Sequence, residues 1–144
     1  GRARTGRSDN SGPARLGAAL SGQHAPLSRH HDSGRGLLPH CELHYSGDLD
    51  IDVSTILEEV EAIILAHDAG AGDTKGRAYP AAQFHHTNFK ATLSLLSKPH
   101  RDAQFVAALH RDVVAAISKH LPRPCWMSID ITFSTPNYHT EFLE

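Results

Sequence analysis

One pattern of apolar residues occurs twice in this 144-residue chain, and this repeat restricts the possible folds more than any other feature. Each copy reads as a strand, a helix and a second strand, over residues 39–83 and 88–133. A helix between two strands is long enough for a right-handed crossover that makes the two strands parallel. The repeat therefore predicts an α+β fold with two layers, in which a four-stranded sheet carries both helices on one face.

Three segments show the alternation of apolar and polar residues that is typical of strands, and they are residues 39–45, 88–96 and 125–133. In the first of them, Cys41, Leu43 and Tyr45 point to the expected core. A further strand, second in chain order, is predicted over residues 76–83. Pro80 lacks an N–H donor, so the second strand is predicted to lie at a sheet edge or to contain a bulge.

Two segments carry the apolar stripe of an amphipathic helix. The stripes consist of Ile56, Leu57, Val60, Ile63 and Ile64 in residues 55–67, and of Phe105, Val106, Leu109, Val113 and Ile117 in residues 102–120, continued by Leu121 directly after that segment. The first helix is capped either by a Thr55–Glu58 capping box or by Asp52 or Ser54. A loop over 68–73 ends it, and Pro122 and Pro124 end the second helix.

A sheet with helices on one face leaves its other face uncovered. A domain of this size does not easily leave a whole sheet face in water, so we expect the chain to form an oligomer through that face. The tail, residues 135–144, is expected to pack on a neighbour or to form a hairpin.

Residues 1–38 differ from the rest in composition. They contain six arginines, no lysine and two acids, whereas residues 39–144 contain eight basic and fourteen acidic residues. The first segment has almost no apolar side chains to bury, so we expect it to be disordered. Three origins stay open for it: an upstream reading frame or an expression remnant, a native disordered segment, or an organelle transit peptide.

Composition also limits the class of function. The net charge of −2 gives no general attraction to nucleic acid, and no apolar run is long enough to cross a membrane. Two cysteines are too few for a disulfide scaffold, which favours a cytoplasmic location, and Cys41 and Cys125 are expected to be core thiols. His40, Glu42 and His44 share a strand face and could hold a metal ion, but a polar strand face is the preferred interpretation.

Several short motifs, in this order and spacing, resemble the tautomerase superfamily, and within it the 5-carboxymethyl-2-hydroxymuconate isomerase family. They are Pro39-His40-Cys41 with Tyr45-Ser46, Lys75-Gly76-Arg77, Phe89 to Leu93, His100-Arg101-Asp102 and Pro136 to His139. The resemblance covers residues 39–144. It implies a tautomerase-like fold, a homotrimer, and a cofactor-independent isomerase that needs no metal and acts on a 2-hydroxymuconate-type dienol with two or three carboxylates.

The resemblance also implies roles for four residues. Pro39 matches the amino-terminal proline whose amine is the catalytic base, while Arg101, Arg77 and Lys75 match positions that bind substrate carboxylates. Lys75 replaces an arginine and so lacks its bidentate geometry. Arg101 and Arg77 could instead be ordinary surface arginines. Leu38 stands at the position of the family's initiator methionine, and a leucine codon can serve as a bacterial start, so the native chain is expected to begin at Pro39.

Two classes of function stay open at this point. One is the isomerase, and the other is a non-catalytic binding or assembly protein with the same fold. The two differ in whether the chain in the cell begins at Pro39, because a proline nitrogen in a peptide bond is an amide and cannot act as a base.

Overall fold

Two strand–helix–strand units follow one another along the chain in the computed structural model, which describes residues 38–144. The elements are β1 (His40–Ser46), α1 (Val53–His67), β2 (Lys75–Ala81), β3 (Asn88–Leu95), α2 (Ala103–Ser118) and β4 (Trp126–Phe133). Each predicted element is present, with ends that differ from the prediction by a few residues. The prediction of a disordered amino-terminal segment concerns residues 1–37, which lie outside the described residues.

The four strands form one mixed sheet in the order β2-β1-β3-β4. β1 is parallel to β2 and β3 is parallel to β4, as a helical crossover within each unit requires. The two units join through β1 and β3, which are antiparallel. β2, which contains Pro80, lies at one edge of the sheet, as predicted. The predicted two-layer α+β fold is confirmed.

The core lies between the helices and one face of the sheet. Its largest fully buried side chains include Phe89, Leu43, Ile56, Ile64, Leu93, Leu95, Leu109, Ile117, Val60 and Val113. Met127, Ile129 and Ile131 of β4 are partly buried against it. Every side chain of the described core therefore follows Pro39 in sequence, and the unit that begins at Pro39 contains the whole of it.

Carboxylates cap both helices. Asp52 accepts a hydrogen bond from the backbone N–H of Thr55 at 3.1 Å, and Asp102 accepts one from the N–H of Phe105 at 2.9 Å. Of the alternatives at the first helix, Asp52 is thus the cap, and Thr55 lies inside the helix as the donor. A short aspartate before a helix satisfies N–H groups that have no partner in the helix.

The face of the sheet opposite the helices, called the uncovered face below, carries no helix, is contacted by the tail only near His40 and Lys75, and is mostly polar. Following the register of the strands, it presents Lys75, Arg77 and Tyr79, then His40, Glu42 and His44, then Lys90, Thr92 and Ser94, and finally Trp126, Ser128, Asp130 and Thr132. His44 stacks on Tyr79, with ring centroids 4.7 Å apart. The sheet face that the sequence predicts to be without helices is therefore present. It presents charged and polar side chains rather than a second set of apolar ones.

The tail after β4 packs on its own chain, where Tyr138 contacts His40 of β1 and Thr140 contacts Lys75 of β2. Among the described residues it contains no strand and so forms no hairpin. Packing of the tail on a neighbouring chain stays a prediction. Within residues 38–144, neither helix has the length and apolarity that crossing a membrane requires.

Candidate active site

The start of β1 fixes the position of Pro39. The proline side chain is fully buried, and its carbonyl oxygen accepts a hydrogen bond of 2.9 Å from the backbone N–H of Lys75. His40 and Lys75 are opposite one another in the parallel register of β1 and β2. The two strands therefore begin side by side, and Pro39 and Lys75, which the sequence predicted as site residues, are brought together.

A cavity of about 530 Å³ opens next to these strand ends. Its lining consists of Leu38, Gly72, Asp73, Lys75, Thr140, Glu141 and Phe142. Leu38, which is bonded to the nitrogen of Pro39, is one of these lining residues, so the cavity lies next to the residue that precedes the proline. On the other side, the Lys75 ammonium donates a hydrogen bond of 2.7 Å to the Thr140 hydroxyl, which holds the tail in place as one wall.

A chain of hydrogen bonds runs along the uncovered face from β2 to the tail. One guanidinium nitrogen of Arg77, Nη2, donates to Glu42 Oε1 at 3.0 Å and to His40 Nδ1 at 3.2 Å. The other ring nitrogen of His40, Nε2, lies 2.8 Å from the Tyr138 hydroxyl. Arg77, predicted as a site residue, is thus connected to the residue that follows Pro39, although its charge is paired with Glu42.

Burial and these contacts determine the protonation states of His40 and Arg77. Burial lowers the pKa of His40 below its usual value, and the positive charges of Lys75 and Arg77 lower it further. The hydrogen bond to Glu42 raises the pKa of Arg77 and keeps it charged. His40 is therefore neutral near pH 7. Among the side chains that line the cavity, Lys75 is the cation, and Asp73 and Glu141 are acidic.

Arg101 lies before α2, and its side chain is completely buried. Its Nε and Nη2 atoms donate to Asp68 Oδ2 at 2.9 and 2.7 Å, and Nη1 donates to the carbonyl of Leu96 at 2.8 Å. His100 bonds the same oxygen of Asp68 at 2.9 Å. The alternative of a solvated surface arginine is therefore wrong. All three guanidinium nitrogens of Arg101 thus have partners within the protein. Binding of a substrate carboxylate by Arg101 stays a prediction.

The possible metal ligands on β1 are engaged with a cation of the protein itself. Arg77 donates to both His40 and Glu42, the two residues that would have to turn toward a metal ion. Across residues 38–144, no group of three or more histidine, cysteine, aspartate or glutamate side chains has the arrangement of a metal site.

The two cysteines differ in burial. Cys41 is fully buried in the core, and burial raises the pKa of its thiol to about 12. Cys125 is partly buried beside β4, and burial raises the pKa of its thiol as well. Since the thiolate is the reactive form of cysteine, neither residue has the character of a nucleophile. The expectation of core thiols fits Cys41 fully and Cys125 in part.

Sequence reasoning missed three residues of this site. The sequence indicates His40 as a possible metal ligand and as part of the motif that begins at Pro39, and it indicates no role for Tyr138 or Thr140. Tyr138 lies within the motif of Pro136 to His139, but the motif does not reveal which residue Tyr138 contacts. The hydrogen bond from His40 to Tyr138 joins residues that are 98 positions apart, and no local pattern encodes such a contact.

The fold is similar to that of solved isomerase structures. A crystal structure of a 5-carboxymethyl-2-hydroxymuconate delta-isomerase matches with a TM-score of 0.55 and 19% identity, over 73% of this chain and 88% of that chain. A probable enzyme from the thermophilic fungus Aspergillus fumigatus matches with a TM-score of 0.55 and 12% identity, over 70% of this chain and 78% of that chain. A 5-carboxymethyl-2-hydroxymuconate isomerase from Deinococcus radiodurans R1 matches with a TM-score of 0.46 and 18% identity, over 67% of this chain and 83% of that chain.

Comparisons by sequence give a different result. No family model matches the chain. No curated protein matches it either. The likeness is therefore one of structure at low identity, and it establishes that the chain shares its α+β fold with the delta-isomerase structure and with the probable enzyme from Aspergillus fumigatus.

Proposed function

We propose that this chain is a cofactor-independent isomerase that moves a proton on a dienol of the 2-hydroxymuconate type; a 5-carboxymethyl-2-hydroxymuconate delta-isomerase is among the structures that share its fold. The observation that carries the proposal is the position of Pro39. It is fixed by burial and by Lys75, and Leu38, the residue bonded to its nitrogen, lines a cavity large enough for a small organic acid.

The chemistry requires a free amine on Pro39. An α-amino group titrates near a pH of about 7.7–8.0, which suits a group that must both take and return a proton at neutral pH. A peptide-bonded nitrogen has no available lone pair. We therefore propose that the active form begins at Pro39, and that removal of Leu38 and the residues before it exposes the nitrogen to the cavity.

In the proposed reaction, the Pro39 nitrogen takes the proton of the enolic 2-hydroxyl. The electron pair of that O–H bond forms the carbonyl, the double bonds shift, and a carbon of the diene takes the proton back from the proline. One proton leaves oxygen and one arrives at carbon, so the product is the conjugated ketone and the proline is regenerated. No change of oxidation state occurs, and the step requires no metal or organic cofactor.

Lys75 is the residue that we propose binds a substrate carboxylate, because its ammonium borders the cavity. A second carboxylate would be bound by Arg77, which has to share its guanidinium between the substrate and Glu42. Two cations at the site suit a dicarboxylate, and a third carboxylate would need the binding role predicted for Arg101.

The experiment compares two forms of the protein. One is the full chain, and the other is made as Met followed by residues 39–144, so that removal of the methionine leaves an amino-terminal proline. The loss of ultraviolet absorbance of a 2-hydroxymuconate-type dienol measures turnover, and intact mass verifies both amino termini. We expect turnover in the short form and little in the full chain. Pro39→Ala in the short form should reduce kcat, since a primary amine replaces the proline nitrogen.

The alternative is a non-catalytic binding or assembly protein. It is favoured by one observation, the peptide bond between Leu38 and Pro39 in the chain as given. If the short form, with its free proline proven by mass, failed to turn over mono-, di- and tricarboxylate dienols, the isomerase proposal would be wrong and the alternative would stand. If the full chain turned over substrate as fast as the short form, the amine mechanism would be wrong.

Two further proposals concern the setting of the protein. We propose a cytoplasmic location, in which the free thiols of Cys41 and Cys125 stay reduced. We also propose a homotrimer in which the uncovered sheet faces of three chains meet.

A further inference from the structure

The hydrogen bonds around His40 define which of its nitrogens carries the proton. A guanidinium group can only donate hydrogen bonds, so Nδ1 of His40 must accept from Arg77 Nη2 at 3.2 Å. The ring is neutral, because burial and the charges of Lys75 and Arg77 disfavour its protonated form. The proton of the neutral ring is therefore on Nε2, and Nε2 donates it to the Tyr138 hydroxyl at 2.8 Å.

The proton on His40 Nε2 determines the direction in which the Tyr138 hydroxyl can donate. A phenol hydroxyl carries one proton and can also accept hydrogen bonds. Since the oxygen of Tyr138 accepts from His40, its own proton has to point away from the imidazole. Among the described residues, His40 is the hydrogen-bond partner that the structure gives this hydroxyl. The O–H is thus available to donate to another molecule.

Tyr138 is connected to the candidate active site through His40. Its partner His40 directly follows Pro39 and lies opposite Lys75 in the sheet. Thr140, two residues further along the tail, bonds the Lys75 ammonium and lines the cavity. The two rings meet edge to face, with centroids 5.9 Å apart, which fixes the direction of the phenol. The hydroxyl is therefore held beside the strand ends where Pro39 and Lys75 lie.

We propose that Tyr138 donates a hydrogen bond to the 2-oxygen of the substrate as that oxygen changes from enol to ketone, and that His40 orients it. The inference rests on the proposed isomerase function. The oxygen is negatively charged after the proline nitrogen takes its proton and before the carbon is protonated. A fixed donor stabilises that charge, and the donation of Nε2–H to the phenol strengthens the phenol as a donor. Tyr138 keeps its proton throughout, so it is a hydrogen-bond donor and not an acid.

The first test uses Tyr138→Phe in the form that begins at Pro39. Removal of one donor to a developing oxyanion lowers kcat by about 100-fold or more, and we expect a loss of that order with KM changed by less than about threefold. Tyr45→Phe is the matched control, because it deletes the same hydroxyl at the other end of β1. It should leave kcat unchanged.

The second test separates orientation from simple attachment of the tail. In His40→Gln the side-chain amide nitrogen stands near the place of Nε2 and can still donate to Tyr138, whereas in His40→Asn it is too short to do so. We expect kcat to be largely retained in His40→Gln and reduced about tenfold in His40→Asn. If His40 only attached the tail, the melting temperature of His40→Asn would fall together with its kcat; a role in orientation predicts a fall in kcat at an unchanged melting temperature.

The third test needs no activity. Nitrogen-15 spectra of the histidine side chains in the full chain should show His40 as the Nε2–H tautomer, and the signal should shift in Tyr138→Phe. An Nδ1–H tautomer, or a kcat of Tyr138→Phe within threefold of the unchanged protein, would overturn the inference while leaving Pro39 as the base. Inactivity of the unchanged short form would instead remove the proposed function, and with it this role of Tyr138.

Discussion

Arg101 and Asp68 form the most enclosed ion pair among the described residues. The Arg101 side chain is 0% exposed and that of Asp68 is 10% exposed, so neither charge is well hydrated. We predict that Arg101→Ala lowers the free energy of unfolding by about 3 kcal/mol, since removal of one partner leaves the other buried charge poorly compensated. Urea unfolding at pH 7 measures this change.

Arg111→Ala is the matched control for Arg101→Ala. Arg111 is largely exposed and pairs with the neighbouring Asp112, so its loss should cost less than about 1 kcal/mol. The same variants test the predicted substrate role of Arg101. A stable Arg101→Ala protein with a raised KM on the dienol would support that role, and an unchanged KM would assign Arg101 to stability alone.

The lowered pKa of Asp68 makes the free energy of unfolding depend on pH. Burial opposes its ionisation, but the hydrogen bonds from His100 and Arg101 outweigh burial and lower the pKa of the carboxyl to about 2. The unfolded carboxyl titrates near a pH of about 3.9, so this stabilisation is present above that pH and is lost as the pH falls toward 2. The loss amounts to about 2 kcal/mol.

The test compares the unchanged protein with Asp68→Asn. The difference between their free energies of unfolding, followed by urea titration from pH 6 to pH 2, should shrink as the pH falls below 4. A difference that stayed constant over this range would show that the ionised carboxylate of Asp68 has no special contribution to stability.

Glu42 limits the charge that Arg77 can offer to a substrate. Replacing it by glutamine keeps a hydrogen-bond acceptor for Arg77 Nη2 and removes the negative charge. We predict that Glu42→Gln in the short form lowers KM for a dicarboxylate dienol by about two- to fivefold, because an exposed ion pair is worth up to about 1 kcal/mol. KM for a monocarboxylate should change less. Asp50→Asn controls for net charge, and an equal effect of both variants would contradict the prediction.

At the scale of elements, local patterns were sufficient for the strands and helices. The alternation in β4 and the stripe in α2 are properties of consecutive residues, so the sequence alone reveals them. The cap at Asp52 could not be distinguished from Ser54 or Thr55, because all three side chains can accept a hydrogen bond and only the backbone direction decides between them.

Contacts distant in sequence were the part that could not be predicted. Arg101 looks like a loop arginine next to a helix, and its partner Asp68 lies 33 positions earlier in another loop. The tail has no periodicity, and its attachment depends on Thr140 and Lys75, which are 65 positions apart. The resemblance could therefore suggest Pro39, Lys75 and Arg77 as site residues, which stay predictions, but the sequence could not predict the wall that the tail builds beside Pro39 and Lys75.

Residues 136–144 of the tail are expected to be needed for turnover but not for folding. Deleting residues 136–144 removes Tyr138 and Thr140 but no side chain of the described core, all of which lies before β4 ends. We expect the truncated short form to keep its circular dichroism and cooperative unfolding, and to lose kcat/KM by about 100-fold or more as both the donor and the cavity wall disappear. Retained turnover would mean that the substrate does not bind between the tail and the strand ends.

At the scale of the whole molecule, the uncovered sheet face is the surface through which one chain can associate with others. It combines acids such as Glu42 and Asp130 with cations such as Lys90, and Trp126 at its edge is 72% exposed. Thr92 lies between Glu42 and Asp130 in the register of the strands. A face of this kind favours association by paired charges and hydrogen bonds over association by apolar burial alone.

We predict that the protein is a trimer at micromolar concentration, with three sheet faces turned toward one another. Light scattering should give three times the mass of one chain. Thr92→Asp adds a third negative charge beside Glu42 and Asp130 without reaching the core, so it should shift the protein toward monomers, and more strongly at low salt, where like charges repel over longer distances. Lys119→Glu, beyond the end of α2 on the helix layer, makes a larger change of charge and should leave the mass unchanged. A monomer in the unchanged protein, or equal effects of the two variants, would contradict an interface on the sheet face.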